Sequence, residues 1–381
     1  MARQRSFGLE GGQPRKEDPP VPFKASSSIS CQDYYEALNI PKSPSGIRGL
    51  IYPLKNFSIA EEDFQDTSSI LERPIMRKFC IVSIIGFFLL FPRMVPGETF
   101  FHPVFQDNFE KRGYWLYWPD GHQGAKSMPL VLALHGGGRD GESMARLCGL
   151  NEKADEAGFL VVYPNGTGQN PKFLTWNAGR CCGYAEYKNI DDIEFIEKVL
   201  NDVEKNYPVD RSRIYVTGIS NGAMMAYRLA ARLPHRIAAV AAVAGSLETD
   251  SFSIKWPVPI MHFHGTQDEF VPYRGGHGPR SISRVHFNSV KDTIDTWIWI
   301  NGANKEPETT ELPDKADDST RVVRHVYRAS KTRADVILYE IRGGGHTWPG
   351  RPIGEQILGS ATQDISANDL MWEFFKKYQV K

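Results

Sequence analysis

Four short segments of this chain hold the residue types needed for nucleophilic attack on a carbonyl. Ser220 sits in Gly218-Ile219-Ser220-Asn221-Gly222. Glycines on either side of a serine let a strand turn sharply into a helix, because neither carries a Cβ that collides in the turn. Asp268 follows in HFHGTQDEFVPY, residues 262–273, and His346 in IRGGGHTWPG, residues 341–350. An acid can accept from a histidine Nδ1–H and fix its tautomer, and that histidine can then take a serine proton. His135-Gly136-Gly137-Gly138 follows LVLAL and offers bare backbone amides to a developing oxyanion. The expected roles are Ser220 as nucleophile, His346 as base and Asp268 as orienting acid. The amides of Asn221, Gly136 and Gly137 form the expected oxyanion hole. His135, Trp176 and Trp348 are candidates for substrate binding, with plain packing as the competing reading for the tryptophans.

The elements that must position these residues alternate along the chain. Apolar runs predict strands at residues 114–118, 130–134, 159–163, 213–217, 237–244, 260–264, 321–328 and 336–341. Helical spacing predicts helices over 142–157, 190–207, 223–229, 290–300 and 368–378. This rhythm predicts an α/β fold, with a mostly parallel central sheet and helices on both faces. Ligands of such sheets bind beyond the carboxyl ends of the strands. All four segments stand at such ends. Their order, Ser220 then Asp268 then His346, is that of the α/β-hydrolase fold.

Other arrangements compete with this one. His262, His264 and Asp268 could form a metal trio, but two histidines at period two on a strand are more commonly core or hydrogen-bonded residues. Neither a metal nor another cofactor is expected. His277 could serve as base, yet the glycines around it predict a loose exposed loop. A serine peptidase would use the same three residues on the same fold. A non-catalytic binding protein on a hydrolase scaffold is the third possibility.

Composition narrows the partners. The 381 residues hold 45 Lys plus Arg and 45 Asp plus Glu, a formal charge of zero, which gives no footprint for nucleic acid or an anionic membrane surface. Hydrophobic content of 41% supports a large core. Residues 76–97, MRKFCIVSIIGFFLLFPRMVPG, have a basic start, an apolar run and a small-residue cleavage site, the layout of a secretory signal peptide. The apolar run is short of the roughly 20 residues that span a membrane, so no stable span is expected after cleavage. Residues 1–75 are read as a disordered leader or a mis-assigned start ahead of Met76, and residues 98–381 as one hydrolase domain. Cys148, Cys181 and Cys182 would remain in the mature chain, with one thiol unpaired or an adjacent Cys181–Cys182 bridge.

The combination LALHGGG, VVYPNG, WNAGRCCGY, IDDIEFI, GISNGAMMAYRLA, HFHGTQDEFVPY and GGGHTWPG resembles the secreted polyhydroxybutyrate depolymerase and feruloyl esterase family, from about Arg112 to the C-terminus. The resemblance implies a metal-independent serine esterase with Ser220, Asp268 and His346 in the roles given above. It implies ester substrates derived from polysaccharide or polyester. The family's DDVGF motif stands here as Asp191-Asp192-Ile193-Glu194-Phe195, with glutamate in place of the glycine. Polymer depolymerases of this group carry an additional binding module, so soluble esters are the expected substrates.

Overall fold

The computed structural model describes residues 97–106, 109–122, 124–249, 254–352 and 356–380. The leader over 1–75 and nearly all of the signal-like segment over 76–97 lie outside the described residues. Among the described residues no helix is long and apolar enough to cross a membrane.

Twelve strands and seven α-helices follow one another among the described residues. The strands are β1 (Thr99–Gln106), β2 (Phe109–Tyr117), β3 (Met128–Leu134), β4 (Leu160–Pro164), β5 (Thr167–Asn170), β6 (Phe173–Thr175) and β7 (Val209–Ile219), then β8 (Ala239–Val243), β9 (Ile260–Gly265), β10 (Glu308–Glu311), β11 (Arg321–Tyr327) and β12 (Val336–Arg342). The helices are α1 (Gly141–Cys148), α2 (Leu150–Ala157), α3 (Gly183–Tyr187), α4 (Asp192–Asn206), α5 (Asn221–Arg232), α6 (Val290–Asn301) and α7 (Ala367–Phe375).

Ten strands form one sheet in the order β1-β2-β4-β3-β7-β8-β9-β12-β11-β10. The six from β4 to β12 run parallel, and the two at each edge are antiparallel. Strand side chains alternate between faces, and β3 shows the consequence. Leu130, Leu132 and Leu134 join the core under α4, α5 and α6. Val131 and Ala133 join the opposite core under α1, α2 and α7. Both faces are therefore covered, as the continuous apolar runs of the central strands require.

One predicted helix is two. The helical spacing over 142–157 breaks at Gly149, whose φ of 63° ends α1 in a left-handed cap and begins α2. A Cβ there would approach the Arg351 guanidinium to 2.4 Å. Asp140 and Ser143 close the start of α1 in a capping box. Cys181 and Cys182 are bridged to each other, and Cys148 is buried as a free thiol.

Candidate active site

Parallel strands β7, β9 and β12 end at the same edge of the sheet, and each hands one residue to it. Ser220 follows β7 with φ 58° and ψ −125°, in a region that side chains rarely adopt. The turn is held from both sides, since Ser220 N–H donates to the Val243 carbonyl at 2.9 Å and the Met224 N–H donates to the Ser220 carbonyl at 3.0 Å. The flanking glycines are sterically required. A Cβ on Gly218 would lie 2.6 Å from the Gly222 carbonyl carbon, and one on Gly222 would lie 2.3 Å from the Leu134 oxygen.

His346 reaches the edge on the glycine run after β12. Its N–H donates to the Leu358 carbonyl at 2.6 Å, and a Cβ on the preceding Gly345 would lie 2.1 Å from that same oxygen. The His346 imidazole is nearly buried and stacks on Phe270, with centroids 5.1 Å apart. Its Nδ1 lies 2.7 Å from Asp268 Oδ2. Asp268, in the turn after β9, accepts at Oδ1 from the N–H groups of Phe270 and Val271 at 2.8 and 2.9 Å. Those two bonds aim Oδ2 at the imidazole. Burial pushes the Asp268 carboxyl up, but His346 facing it, with the hydrogen bonds of His264 and His346, holds it well below the usual carboxylate range.

The glycine loop after β3 packs against Ser220. A Cβ on Gly136 would stand 3.5 Å from Ser220 Cβ, and one on Gly137 would stand 3.7 Å from Asn221 Cβ. Asn221 opens α5, where unpaired N–H groups and the helix dipole favour negative charge. Its side chain points away from that duty: Oδ1 accepts from Trp176 N–H at 2.7 Å and Nδ2 donates to the Trp176 carbonyl at 3.0 Å.

His135 and the two tryptophans do not line a cleft. His135 and Trp176 are fully buried, with rings 4.9 Å apart. Trp176 Nε1 donates to the His135 carbonyl at 3.0 Å, so the ring clamps the glycine loop. Gly166 N–H donates to His135 Nε2 at 2.9 Å, which leaves the ring proton on Nδ1, 2.8 Å from the Gly136 carbonyl. Trp348 packs on the opposite face of the sheet, where its Nε1 donates to Asn368 Oδ1 at 3.0 Å. Between the two readings of these tryptophans, packing accounts for their burial and their donors. His277 is exposed and meets His286 edge-on at 5.2 Å, while Asp268 pairs with His346.

Burial lowers the His135 pKa from 6.5 to about 4. The unfolded state therefore binds a proton that the folded state refuses below pH 6.5. Stability is full above 6.5 and falls by about 1.4 kcal/mol per pH unit as pH drops towards 4, on the order of 3 kcal/mol in all. The expected result is that His135→Gln, which donates and accepts but cannot be protonated, flattens the pH slope of the urea unfolding free energy by about one proton over that window.

Sequence reasoning did not single out Arg112. Its NH2 group pairs with buried Asp192 at 2.7 Å, and its guanidinium lies over Phe195 at 3.6 Å. Asp192 Oδ2 also accepts from Asn177 N–H at 2.7 Å, fixing the segment that carries Trp176. The motif Asp191-Asp192 thus has two separable jobs, since Asp191 caps α4 through Glu194 N–H at 3.0 Å. Glu194 itself faces outward and pairs with Lys198 at 2.9 Å.

A parallel sheet covered on both faces, with a strained serine turn beyond its carboxyl edge, defines an α/β-hydrolase. Within that class the chain belongs to the esterase PHB depolymerase family, whose model matches residues 112–272, and it is a carboxylic ester hydrolase. It is 30% identical over 257 residues to putative esterase NocK of Nocardia uniformis subsp. tsuyamanensis, across 65% of this chain and 73% of that protein. Feruloyl esterase B of Piromyces equi is 30% identical over 237 residues, which are 60% of this chain and 41% of that protein. The fold is shared with an acetyl xylan esterase from Aspergillus awamori, at a TM-score of 0.50 and 18% identity over 74% of this chain and 99% of that one.

Proposed function

We propose that the chain is a secreted serine esterase working through Ser220, His346 and Asp268. The observation that carries the reading is the 2.7 Å pairing of His346 Nδ1 with Asp268 Oδ2, at the sheet edge where Ser220 is held in its turn. Ser220 Oγ attacks the ester carbonyl carbon while His346 Nε2 takes its proton. The amides of Asn221, Gly136 and Gly137 stabilise the oxyanion, on the order of 3 kcal/mol per donor. The intermediate collapses as His346 returns the proton to the leaving alcohol. Water then attacks the acyl-enzyme, His346 again accepting a proton, and the free acid leaves with Ser220 restored. Asp268 holds the imidazole tautomer and stabilises the imidazolium throughout.

Residues 76–97 act as the signal segment and 98–381 as the esterase domain in this reading. The substrates are hydroxycinnamoyl esters on polysaccharide, short acyl esters on sugars, or hydroxyalkanoate oligomers. The similarity to feruloyl esterase B and to the PHB depolymerase family supports that range. The test is a panel run on the full chain with a short acyl ester, methyl ferulate, a hydroxybutyrate oligomer and a peptide anilide. Ester turnover far above anilide turnover is expected, and a preferred anilide would replace the esterase reading with a peptidase.

A further inference from the structure

Behind Asp268 lies a line of buried polar side chains that the chemistry above does not use. Tyr227 Oη, on α5, lies 2.6 Å from His262 Nδ1 on β9. His262 Nε2 lies 3.0 Å from His264 Nδ1, and His264 Nε2 lies 2.8 Å from the Val271 carbonyl oxygen. His264 Nε2 also stands 3.4 Å from Asp268 Oδ2, the oxygen that His346 contacts. Tyr227 and both histidines are essentially inaccessible to solvent.

The far end of the line dictates its polarity. A carbonyl oxygen only accepts, so His264 Nε2 carries a proton. With that ring neutral, its Nδ1 accepts from His262 Nε2–H, and His262 Nδ1 accepts from the Tyr227 hydroxyl. Every donor and acceptor is then matched. A charged His264 reverses the upper half of the line. His262 would switch tautomers and aim an N–H at the Tyr227 oxygen, and the hydroxyl proton would need a new acceptor. The rings beside Tyr227 are His262 and Trp297, and an indole N–H can only donate. A buried hydroxyl without an acceptor is costly, so the hydroxyl opposes the reversal.

We propose that Tyr227, His262 and His264 form a one-way hydrogen-bond line that keeps His264 uncharged and leaves the Asp268 carboxylate to His346, which makes His264 a positioning residue. The proposal rests on the reading of Asp268 and His346 as orienting acid and base. An imidazolium at His264 would compete for Asp268 Oδ2 and weaken His346 as a base. The neutral N–H edge steadies the same oxygen without competing for its charge. Among the described residues, His346 shares Asp268 Oδ2 with His264, and Tyr273 meets the His264 ring edge-on at 5.8 Å with its hydroxyl turned to Glu340 at 3.2 Å. Burial pushes the Tyr227 phenol up, and burial together with the nearby His264 pushes the His262 imidazole well down.

The test uses the full chain as wild type, Tyr227→Phe and His264→Gln. Histidine 15N NMR reads the tautomers, and the pH profile of kcat/KM for a short acyl ester reads the site from roughly pH 5 to 8. In the wild type, His264 is expected to stay in one neutral Nε2–H form across that range. Tyr227→Phe is expected to lose about tenfold in kcat/KM at the acid end relative to its own plateau, equivalent to about one pH unit in the acid limb. His264→Gln can donate and accept but cannot be protonated, so it should keep the wild-type acid limb. A wild-type His264 that titrates in this range would overturn the proposal. So would a Tyr227→Phe profile that superimposes on the wild type. If Tyr227→Phe does not fold, a displaced acid limb in His264→Gln has the same force. Retained turnover in Ser220→Ala would instead remove the underlying reading, while the NMR arm would still report the line.

Discussion

Ser220→Ala is expected to lower kcat on a short acyl ester by a factor on the order of 10⁴ to 10⁶, with the fold intact. The large factor follows from what the hydroxyl does: without it no acyl-enzyme forms, and only binding and the oxyanion donors remain. The intact fold follows from the turn. Ser220 is kept at φ 58° by main-chain bonds to Val243 and Met224 and by the close glycines around it, none of which involves Oγ. Alanine keeps the same Cβ in the same place. Near-UV circular dichroism and thermal unfolding should match the wild type, and a variant that keeps more than about 1% of its activity would contradict the assignment.

Asp268→Asn is expected to cost about 10⁴ in kcat at neutral pH, through the tautomer of His346. Oδ1 accepts from two backbone N–H groups at 2.8 and 2.9 Å, so the asparagine oxygen must take that place. The NH2 group then replaces Oδ2 and points at His346 Nδ1. A donor there forces the imidazole proton onto Nε2, the atom that in the proposed mechanism must accept from Ser220 and then cannot. The pH dependence of stability has a definite sign. Because the folded Asp268 pKa is depressed, its contribution is fully present above the unfolded carboxylate pKa near 3.9. That contribution is lost as pH falls through the folded value. The stability gap between wild type and Asp268→Asn should therefore narrow below about pH 4, and a gap that widens in acid would contradict the depressed carboxyl.

Much of this architecture was legible in the residues because it is enforced locally. Leu130–Leu134 and Ile260–His264 are apolar runs whose only good burial is in a two-faced sheet, and both are strands. Gly218 and Gly222 allow the turn at Ser220 by having no Cβ, a constraint visible as a spacing. Elements that depend on partners were not legible. β10 is exposed along its whole length and has no apolar pattern, so its strand exists through pairing with β11. The β5–β6 hairpin is short and half polar. Trp176 and Trp348 could have faced a cleft or a core by type alone, and their placement follows from residues far away in sequence, Asn221 and Asn368. Tyr227 is likewise an ordinary helix residue until β9 brings His262 against it.

The most direct test of the central claim is chemical. The full chain would be treated with a fluorophosphonate, which phosphonylates an activated serine and displaces fluoride, and the labelled peptide would be located by mass spectrometry. One label per chain is expected, on Ser220, appearing in proportion to lost ester turnover. Complete inhibition with Ser220 unmodified, or turnover that persists after Ser220 is fully labelled, would show that the nucleophile lies elsewhere.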